Sequence, residues 1–536
     1  MLKSLIRLAS KSHEGMDWQW SFLPPLMVYL AAGIQGLTGI VGTFYVKEHL
    51  DLSAQFLAAL GFWVGIPWAL KMPIGHVVDL LWKFKSLGVI LGAVLIASSL
   101  LIMAQLIQDP VAMSATMSIN AWYVLATLLA PIGYVIQDAV ADAMTAEAVP
   151  RVDDEGQPLD EALIHHMHVT MQTLGRVAFV GGTLLVAGIN LWVFSGMGAL
   201  SVEEKKAVYR NVYLIALMIP LVSVLGLLVA HLMLNRQVKA LIQSGHSRAA
   251  AVALLRPEPT PTQANAWLLS GSLVFVVFTV SMGLSDLQYA QEIIFMGSLL
   301  IIAFLMGRLT SALDAPSRQT LWGTALVIFC YRATPGPGPG VNWWTIDVLG
   351  FDQSFFSVLA LIGNTLALIG MFALKKHMAK YSLLRLTFWL TVAGTLLSVP
   401  QLAMSLGFHE WTARHTHGFI DARFIALVDT ALESPLGQIA MIPLLTWIAQ
   451  SAPQELKATF FAVMTSFANL ALSASQLLTK YLNQVFVISR EVKTASSTMP
   501  ANYDALVPLL GSATALGLAI PLMAMAMIKL FRWRCA

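Results

Sequence analysis

Residues 119–147, INAWYVLATLLAPIGYVIQDAVADAMTAE, form a long apolar run that carries acidic residues only towards its end. Asp138 and Asp142 are four residues apart, so on a helix they lie one above the other on the same face. A charge at the centre of a bilayer costs about 2.5–3.5 kcal/mol. Two acids on one face therefore predict a membrane helix that looks into a polar interior. Glu147, at the end of the run, is placed to reach the lipid headgroups.

Composition assigns the whole chain to the membrane class. Of its 536 residues, 57% are hydrophobic and only 11% are charged, and the mean hydropathy is +0.71. A soluble domain carries about 25% charged residues. The net charge of +3 is too small to indicate a nucleic-acid partner, and the two cysteines, Cys330 and Cys535, give no disulfide framework. We expect an all-α, polytopic membrane protein.

Fourteen apolar runs are long enough for membrane helices, each of which needs about 20 residues. The first, at 22–46, is longer than the hydrophobic region of a signal peptide and has no small-residue cleavage site, so we expect it to be retained. The runs fall into groups of six, two and six along the chain. They lie at about 22–46, 55–80, 86–107, 119–145, 167–194, 211–235, 266–285, 289–307, 320–346, 354–374, 384–406, 421–448, 457–485 and 505–530.

Loop charges orient these spans. With the N-terminus inside, lysine and arginine concentrate in the inner loops, above all in KKHMAKYSLLR at 375–385, as the positive-inside rule expects. Two spans between 266 and 307 keep that loop inside. The sequence therefore predicts both termini in the cytoplasm and a location in the cell (inner) membrane. Its predicted units are an N-terminal six-helix bundle at 1–235, a cytoplasmic linker at 236–265, an extra transmembrane hairpin and connector at 266–319, and a C-terminal six-helix bundle at 320–536.

The second group of six spans repeats the acidic pattern of the first. In its fourth span, RFIALVDTALESPLGQIAMIPLL, Asp429 and Glu433 are again four residues apart. Transporters built from related halves bind substrate near the membrane midplane, where the halves meet. We therefore expect both acidic pairs to border one central site. The alternative is that both pairs form structural salt bridges with neighbouring helices.

The second span supplies a cation. Lys71 lies in the middle of the run between Pro67 and Pro73, which loosen the helix. We interpret Lys71 as a partner of the substrate or of an acid in the fourth span. Gly75 and Asp79 resemble the inner-loop signature of the major facilitator superfamily, although the arginine and second glycine of that signature are missing. The resemblance implies that this pair is a structural latch.

Four separated motifs occur in order along the chain: PWALKMPIGHVVD (67–79), DAVADAMTAE (138–147), RATPGPGPGVNWWTIDVLGF (332–351) and MIPLLTWIAQSAPQELKATFFAVMTSFANL (441–470). Together they resemble the folate–biopterin transporters of that superfamily. Three departures stand out: Ala148-Val149-Pro150 follows the acidic span where the family usually shows an arginine, the Cys-Pro pair of the family is Ala452-Pro453, and the hairpin at 266–307 is outside the usual twelve-span plan. The resemblance implies the major facilitator fold, alternating access, and a folate, a pterin or a similar anion as substrate.

The chemistry of such a substrate gives each candidate residue a role. A pterin offers N–H donors to a carboxylate and a flat face to an aromatic ring, and folate adds carboxylates that a cation holds. Buried carboxylates can also take up protons at working pH, so Asp138 and Asp142 are the predicted proton-coupling residues. The predicted substrate-binding residues are Lys71, Trp68, Arg332, Asp429 and Glu433.

Other functions find little support in the sequence. No nucleophile–base set indicates an enzyme, and no cofactor or metal site is predicted, because the histidine groups at 165–168 and 409–417 have no accompanying cysteines. The glycine-rich segment at 335–340 lacks the lysine of a phosphate cradle and predicts a break in its span. Two alternatives stay open: a major facilitator transporter of another solute, such as a cell-wall fragment or an amino-acid-like anion, and a non-transporting scaffold for membrane complexes. A scaffold has no need of paired acids in matching spans, so proton-coupled transport leads.

Overall fold

The computed structural model of the protein describes residues 19–50, 52–71, 74, 78, 84–149, 159–243, 245, 247–255, 266–283, 287–311, 313–378, 382–434, 436, 457–493, 498–531 and 533. Over these residues the chain is almost entirely helical. The exception is a pair of two-residue antiparallel strands, β1 at Val492–Lys493 and β2 at Thr498–Met499. The predicted all-α class is confirmed.

The α-helices are numbered in chain order. In the described residues they are α1 Leu23–Ile34, α2 Gly39–His49, α3 Ala54–Ala69, α4 Lys85–Gln108, α5 Pro110–Ser114, α6 Ile119–Ala148, α7 Glu161–Val193, α8 Val202–Ala216, α9 Met218–Gln243, α10 Arg248–Leu255, α11 Ala266–Gly283, α12 Ala290–Thr310, α13 Ala315–Arg332, α14 Gly340–Asp347, α15 Gln353–Met378, α16 Leu383–Ser405, α17 Phe408–His415, α18 422–434, α19 Lys457–Val485 and α20 Leu506–Leu530.

Nine stretches in the described part of the chain are long and apolar enough to cross a membrane. The predicted total of fourteen spans stays a prediction, because parts of the runs at 55–80 and 421–448 lie outside the described residues. The nine stretches are Trp20–His49, Lys85–Gln108, Ile119–Asp142, Thr173–Ala199, Val202–Gln243, Ala290–Arg308, Gln353–Gly370, Leu383–Ser405 and Leu506–Leu530.

Leucine side chains mark a surface that suits lipid. On α9 they recur every three or four residues and are 40–53% exposed. That spacing aligns them along one face of the helix. Such a stripe is unfavourable in water but matches the apolar interior of a bilayer. The residues are Leu221, Leu225, Leu228 and Leu232.

Three of the predicted runs are interrupted in the described residues, and the run at 211–235 divides at Leu217 between α8 and α9. The run at 22–46 contains a short 3-10 turn, Gln35–Thr38, between α1 and α2. The run at 320–346 ends as α13 and resumes as α14, with the proline-rich segment 333–339 between them. Prolines have no N–H and break a helix. Gly338 has a φ of +81° and its backbone lies against Asn483 of α19, so this break needs glycine.

The predicted linker at 236–265 is helical over much of its length. The helix α9 continues to Gln243, and α10 follows after a short turn. Val238, Leu241 and Ala251 bury their side chains in one small cluster, which explains why these helices form. The division into two bundles at 1–235 and 320–536 stays a prediction.

Helices of the first half pack closely through glycine. A Cβ atom on Gly33 of α1 would lie 2.1 Å from the carbonyl oxygen of Phe179 on α7, and Gly182 faces the same crossing. Gly92 of α4 and Gly133 of α6 meet in the same way: a Cβ atom on either glycine would lie 2.6 Å from the carbonyl oxygen of the other. Small residues at crossings let membrane helices approach backbone to backbone. These contacts fix α1 against α7 and α4 against α6.

Helices from the two halves of the chain meet along two seams. Along one, α3 packs on α19, where Gly61 approaches Gln476 and Gly65 approaches Ser473. Along the other, α7 packs on α15, and the Asn364 side chain donates a hydrogen bond to a carbonyl of α7 at 3.2 Å. Crossings between halves are the architecture expected of a facilitator with related bundles.

Polar contacts between the halves gather at the end of the bundle where α2 finishes. Lys47 forms an ion pair with Asp347 at the end of α14, and Arg490 donates to the backbone carbonyl of Lys47. The Tyr503 hydroxyl donates to Asp347 at 2.6 Å. Burial, together with this hydrogen bond and the negative charge of Asp347, raises the pKa of Tyr503, so it stays a neutral donor. We refer to this region as the Lys47 end; the predicted topology places it outside.

The hairpin of α11 and α12 lies on the seam between α3 and α19. Gln291 donates to the backbone carbonyl of Ala59 on α3 at 3.1 Å, and Lys480 of α19 binds Glu292 at 2.8 Å. The Tyr481 hydroxyl donates to the same carboxylate. Two adjacent residues of α12 therefore hold helices from both halves of the chain.

Candidate functional site

Four side chains from three helical segments form a compact polar cluster. The Lys71 ammonium, just beyond the end of α3, lies 2.5 Å from the Asp138 carboxylate and 2.7 Å from the Asp142 carboxylate, both on α6. The Tyr29 hydroxyl of α1 donates a hydrogen bond to the other oxygen of Asp142 at 2.6 Å. We refer to these four residues as the Lys71 cluster. The structure thus brings together three residues that the sequence singles out.

The rotation of α6 that aims its acids at Lys71 is set by the neighbouring residue. The Gln137 side chain is 3% exposed and donates to the Val89 carbonyl of α4 at 3.0 Å. It accepts a hydrogen bond from Ser223 of α9, also at 3.0 Å. A buried amide with both ends satisfied holds one orientation. Because Asp138 follows Gln137, it faces a different direction, towards α3.

Tyr29 is held in place by a glycine. A Cβ atom on Gly175 of α7 would lie 3.1 Å from the ring of Tyr29, so the ring rests directly on the backbone of α7. One turn away, the Gly33 crossing fixes α1 against the same helix. The hydroxyl is therefore delivered to Asp142 by rigid packing.

The Lys71 cluster is unevenly charged. One ammonium faces two carboxylates, and Arg176 of α7 lies close enough to Asp138 to act on it electrostatically. The side chain of Asp138 is 18% exposed, whereas that of Asp142 is 45% exposed. Lys71 contacts both acids, but its single charge balances only one of them, and Asp142, the more accessible acid, also accepts the hydrogen bond from Tyr29.

The other predicted substrate-binding residues lie apart from this cluster. Trp68 packs against the core of the first half, and its backbone carbonyl accepts a hydrogen bond from Asn469 of α19 at 3.1 Å. Arg332 ends α13 and lines a small pocket beside α16. Asp429 of α18 is partly buried and Glu433 is exposed, and neither forms an ion pair with any residue that the structure describes. The predicted latch residues Gly75 and Asp79 lie outside the described residues.

A cavity of about 420 Å³ lies beside the Lys71 cluster, mostly within the first half. Its walls come from the 3-10 turn Gln35–Thr38 and from α2, α3, α4, α6 and α8, and Pro339 with α14 closes one side. Tyr134 of α6, one helical turn from Asp138, is part of its lining. No Lys, Arg, Asp or Glu is among the described residues that line it.

Sequence reasoning missed Tyr29 and this cavity. Tyr29 is one of several hydroxyl side chains in an apolar run, and it lies 113 residues from its partner. Its one signal is a polar atom in a membrane span, which has to find a partner. The cavity depends on small residues from several helices, and nothing in a single run reveals that arrangement.

Solved transporters share the fold. A peptide transporter, POT, in complex with alafosfalin aligns with a TM-score of 0.59 at 14% identity and covers 98% of both chains. The xylose transporter XylE from E. coli aligns with a TM-score of 0.50, also at 14% identity, over 95% of each chain. At such identities the likeness shows the fold alone, and it confirms the predicted major facilitator architecture.

Sequence comparison is more specific than the fold. A folate-biopterin transporter from Synechocystis sp. (strain ATCC 27184 / PCC 6803 / Kazusa) is 23% identical over 476 residues. The match covers 86% of this chain and 75% of that protein. The sequence model of the BT1 family matches residues 32–530, almost the full length. The chain belongs to the BT1 family and is a multi-pass membrane transporter.

Proposed function

We propose that this transporter moves folate, a pterin or a similar organic anion by alternating access and couples the movement to protons. One observation carries the proposal: a single ammonium, Lys71, is shared by two carboxylates in the interior of a membrane bundle. A purely structural ion pair needs one carboxylate. The additional acid is the feature that a coupled transporter would use.

Accessibility divides the two acids between two roles. Asp138 is the more buried and makes the shorter contact with Lys71, so it serves as the standing counter-ion. Asp142 is 45% exposed and is the group that exchanges protons with water. A proton on Asp142 leaves a neutral Lys71–Asp138 pair and removes one negative charge from the site.

Charge balance then links the proton to the solute. With Asp142 charged, the nearby carboxylates repel an anion. With Asp142 protonated, the cations Lys71 and Arg176 have one acid between them, and a solute carboxylate restores neutrality. Buried charge is strongly disfavoured in the membrane, so proton and anion enter and leave together.

The other proposed assignments extend this picture. Trp68, Arg332, Asp429 and Glu433 are proposed to contact the solute from other walls during the cycle, and Gly75 with Asp79 to latch the inner helix ends. The proposed setting is the inner membrane, with fourteen spans and both termini in the cytoplasm, as the loop charges favour.

The test uses purified protein in liposomes with an imposed pH gradient. We expect Asp142→Asn to lose accumulation of labelled folate driven by the gradient while it keeps exchange of folate across the membrane. Asp138→Asn should weaken both, because Lys71 loses its main counter-ion.

The matched control is Glu203→Gln. Glu203 is an exposed acid that pairs with Lys206 at the surface, and such pairs contribute little. It should transport like the parent. If Asp142→Asn accumulates folate as the parent does, proton coupling through this acid is wrong.

A further inference from the structure

The cavity of about 420 Å³ beside the Lys71 cluster has the size of a ligand site. Pockets for small molecules measure about 300–1,000 Å³. The space exists because its walls carry small residues: Gly39 of α2 has no heavy atom within 4 Å of where a Cβ would stand. Gly42 and Ala130 widen the same cavity.

The lining is mostly apolar, and its polar side chains carry no charge among the described residues. It combines the rings of Tyr123, Tyr134, Tyr213 and Trp343 with the side-chain amide of Asn342. Aromatic faces favour a flat ligand. A charged group placed here would lose its water with no opposite charge among the described lining residues, which is strongly unfavourable.

Several polar groups in the cavity are available to a ligand. No described residue hydrogen-bonds the Tyr134 hydroxyl or the side-chain amides of Gln35 and Asn342. By contrast, the Ser99 hydroxyl in the same lining is already committed to the carbonyl of Ala126 at 2.6 Å. The available groups include both donors and acceptors.

We propose that this cavity is a binding site for an uncharged, planar, hydrogen-bonding ring. Resting on the proposed function, the ring is one part of the transported solute, and its anionic part lies towards Lys71. The helix α6 joins the two places, since Tyr134 and Asp138 are four residues apart on one face. One solute is thus divided between a neutral site that reads its ring and a charged site that couples to protons.

The side chains of α14 that line the cavity give the site a wall from the second half of the chain. Asn342 and Trp343 come from the second half of the chain, whereas every other side of the cavity except neighbouring Pro339 comes from the first half. A ring held between Asn342 and Tyr134 therefore contacts both halves. Binding of the ring is then sensitive to their relative position.

The experiment fills the cavity without removing any hydrogen-bonding group. Gly39→Leu places a side chain in the open space, and Gly36→Leu, three residues earlier, is the matched control. Gly36, like Gly39, is exposed and has no atom within 4 Å of its Cβ position, but it lies outside the lining. The probes are biopterin, which has a neutral pterin ring, and p-aminobenzoylglutamate, an anionic fragment of folate without the pterin ring. Binding is measured by isothermal titration and folding by thermal melting.

We expect Gly39→Leu to weaken biopterin binding at least tenfold while melting stays at the parental temperature. Gly36→Leu should bind within twofold of the parent. Tyr134→Phe and Asn342→Leu should each weaken biopterin about three- to tenfold, the effect of one hydrogen bond. Binding of p-aminobenzoylglutamate should be the same in all four variants.

The proposal is overturned if Gly39→Leu folds and binds biopterin like the parent, or if the parent binds no biopterin. Should Gly39→Leu fail to fold, the outcome rests on Tyr134→Phe and Asn342→Leu, and parental affinity in both overturns it. Folate uptake by the parent under a pH gradient is measured in parallel. If the parent takes up folate but the cavity variants bind biopterin normally, the proposed ring site alone is refuted. If the parent takes up no folate, the proposed function is refuted.

Discussion

Removing the shared ammonium gives the sharpest test of the Lys71 cluster. In Lys71→Met the chain keeps a side chain of similar length but loses its charge. The two carboxylate oxygens are then at most about 5 Å apart, because they lie 2.5 and 2.7 Å from the ammonium. At an effective dielectric constant of 20, two like charges at that distance repel by about 3 kcal/mol. That agrees with the roughly 3–5 kcal/mol for breaking a buried pair.

A loss of about 3 kcal/mol corresponds to a fall in melting temperature on the order of 6–12 °C for a unit of about 150–250 residues. The assay is thermal melting of the purified protein in detergent. The deficit should shrink as the pH is lowered, because a proton on either carboxylate removes the repulsion. Lys71→Met combined with Asp142→Asn should recover at least half of the loss. Equal melting of Lys71→Met and the parent, or a double variant no more stable than the single one, would refute this account of the cluster.

Three further predictions concern packing and the contacts between the halves. Gly33→Ala should sharply lower the melting temperature, because its Cβ would meet a carbonyl oxygen of α7 at 2.1 Å, whereas Gly181→Ala, with no atom within 4 Å, should melt like the parent. Lys47→Glu should increase thiol or protease accessibility at the Lys47 end, and adding Asp347→Lys should restore protection; no rescue by the reversed pair would exclude the ion pair as a latch. Glu292→Gln should lower the melting temperature by a few degrees, and a second change that removes its lysine partner should reverse much of that effect; additive losses would count against the pairing.

The sequence is most informative where structure depends on local spacing. Apolar runs of sufficient length predict the helices, because every backbone group in a bilayer has to be satisfied within the segment. The four-residue interval predicts that Asp138 and Asp142 share a face, and both meet Lys71. The prolines and glycines at 335–340 predict the break that separates α13 from α14.

Contacts between distant segments escape such reasoning. The two acidic pairs look equivalent in sequence. Of these two pairs, however, only Asp138 and Asp142 meet an ammonium among the described residues, and Glu433 is exposed. Which helix lies opposite an acid depends on crossings such as that of Gly33 with α7, which no local pattern encodes. The same limit explains why Tyr29 was not predicted.

The position of α11 and α12 has a consequence for protein engineering. The hairpin covers part of the seam between α3 and α19, so its excision would expose surface to lipid, where hydrophobic area carries little penalty. The lasting damage would be electrostatic: Lys480 would keep its charge and lose the carboxylate of Glu292. A version of this transporter without α11 and α12 should therefore pair the deletion with Lys480→Met, and that single added substitution should decide whether the shortened chain can be purified.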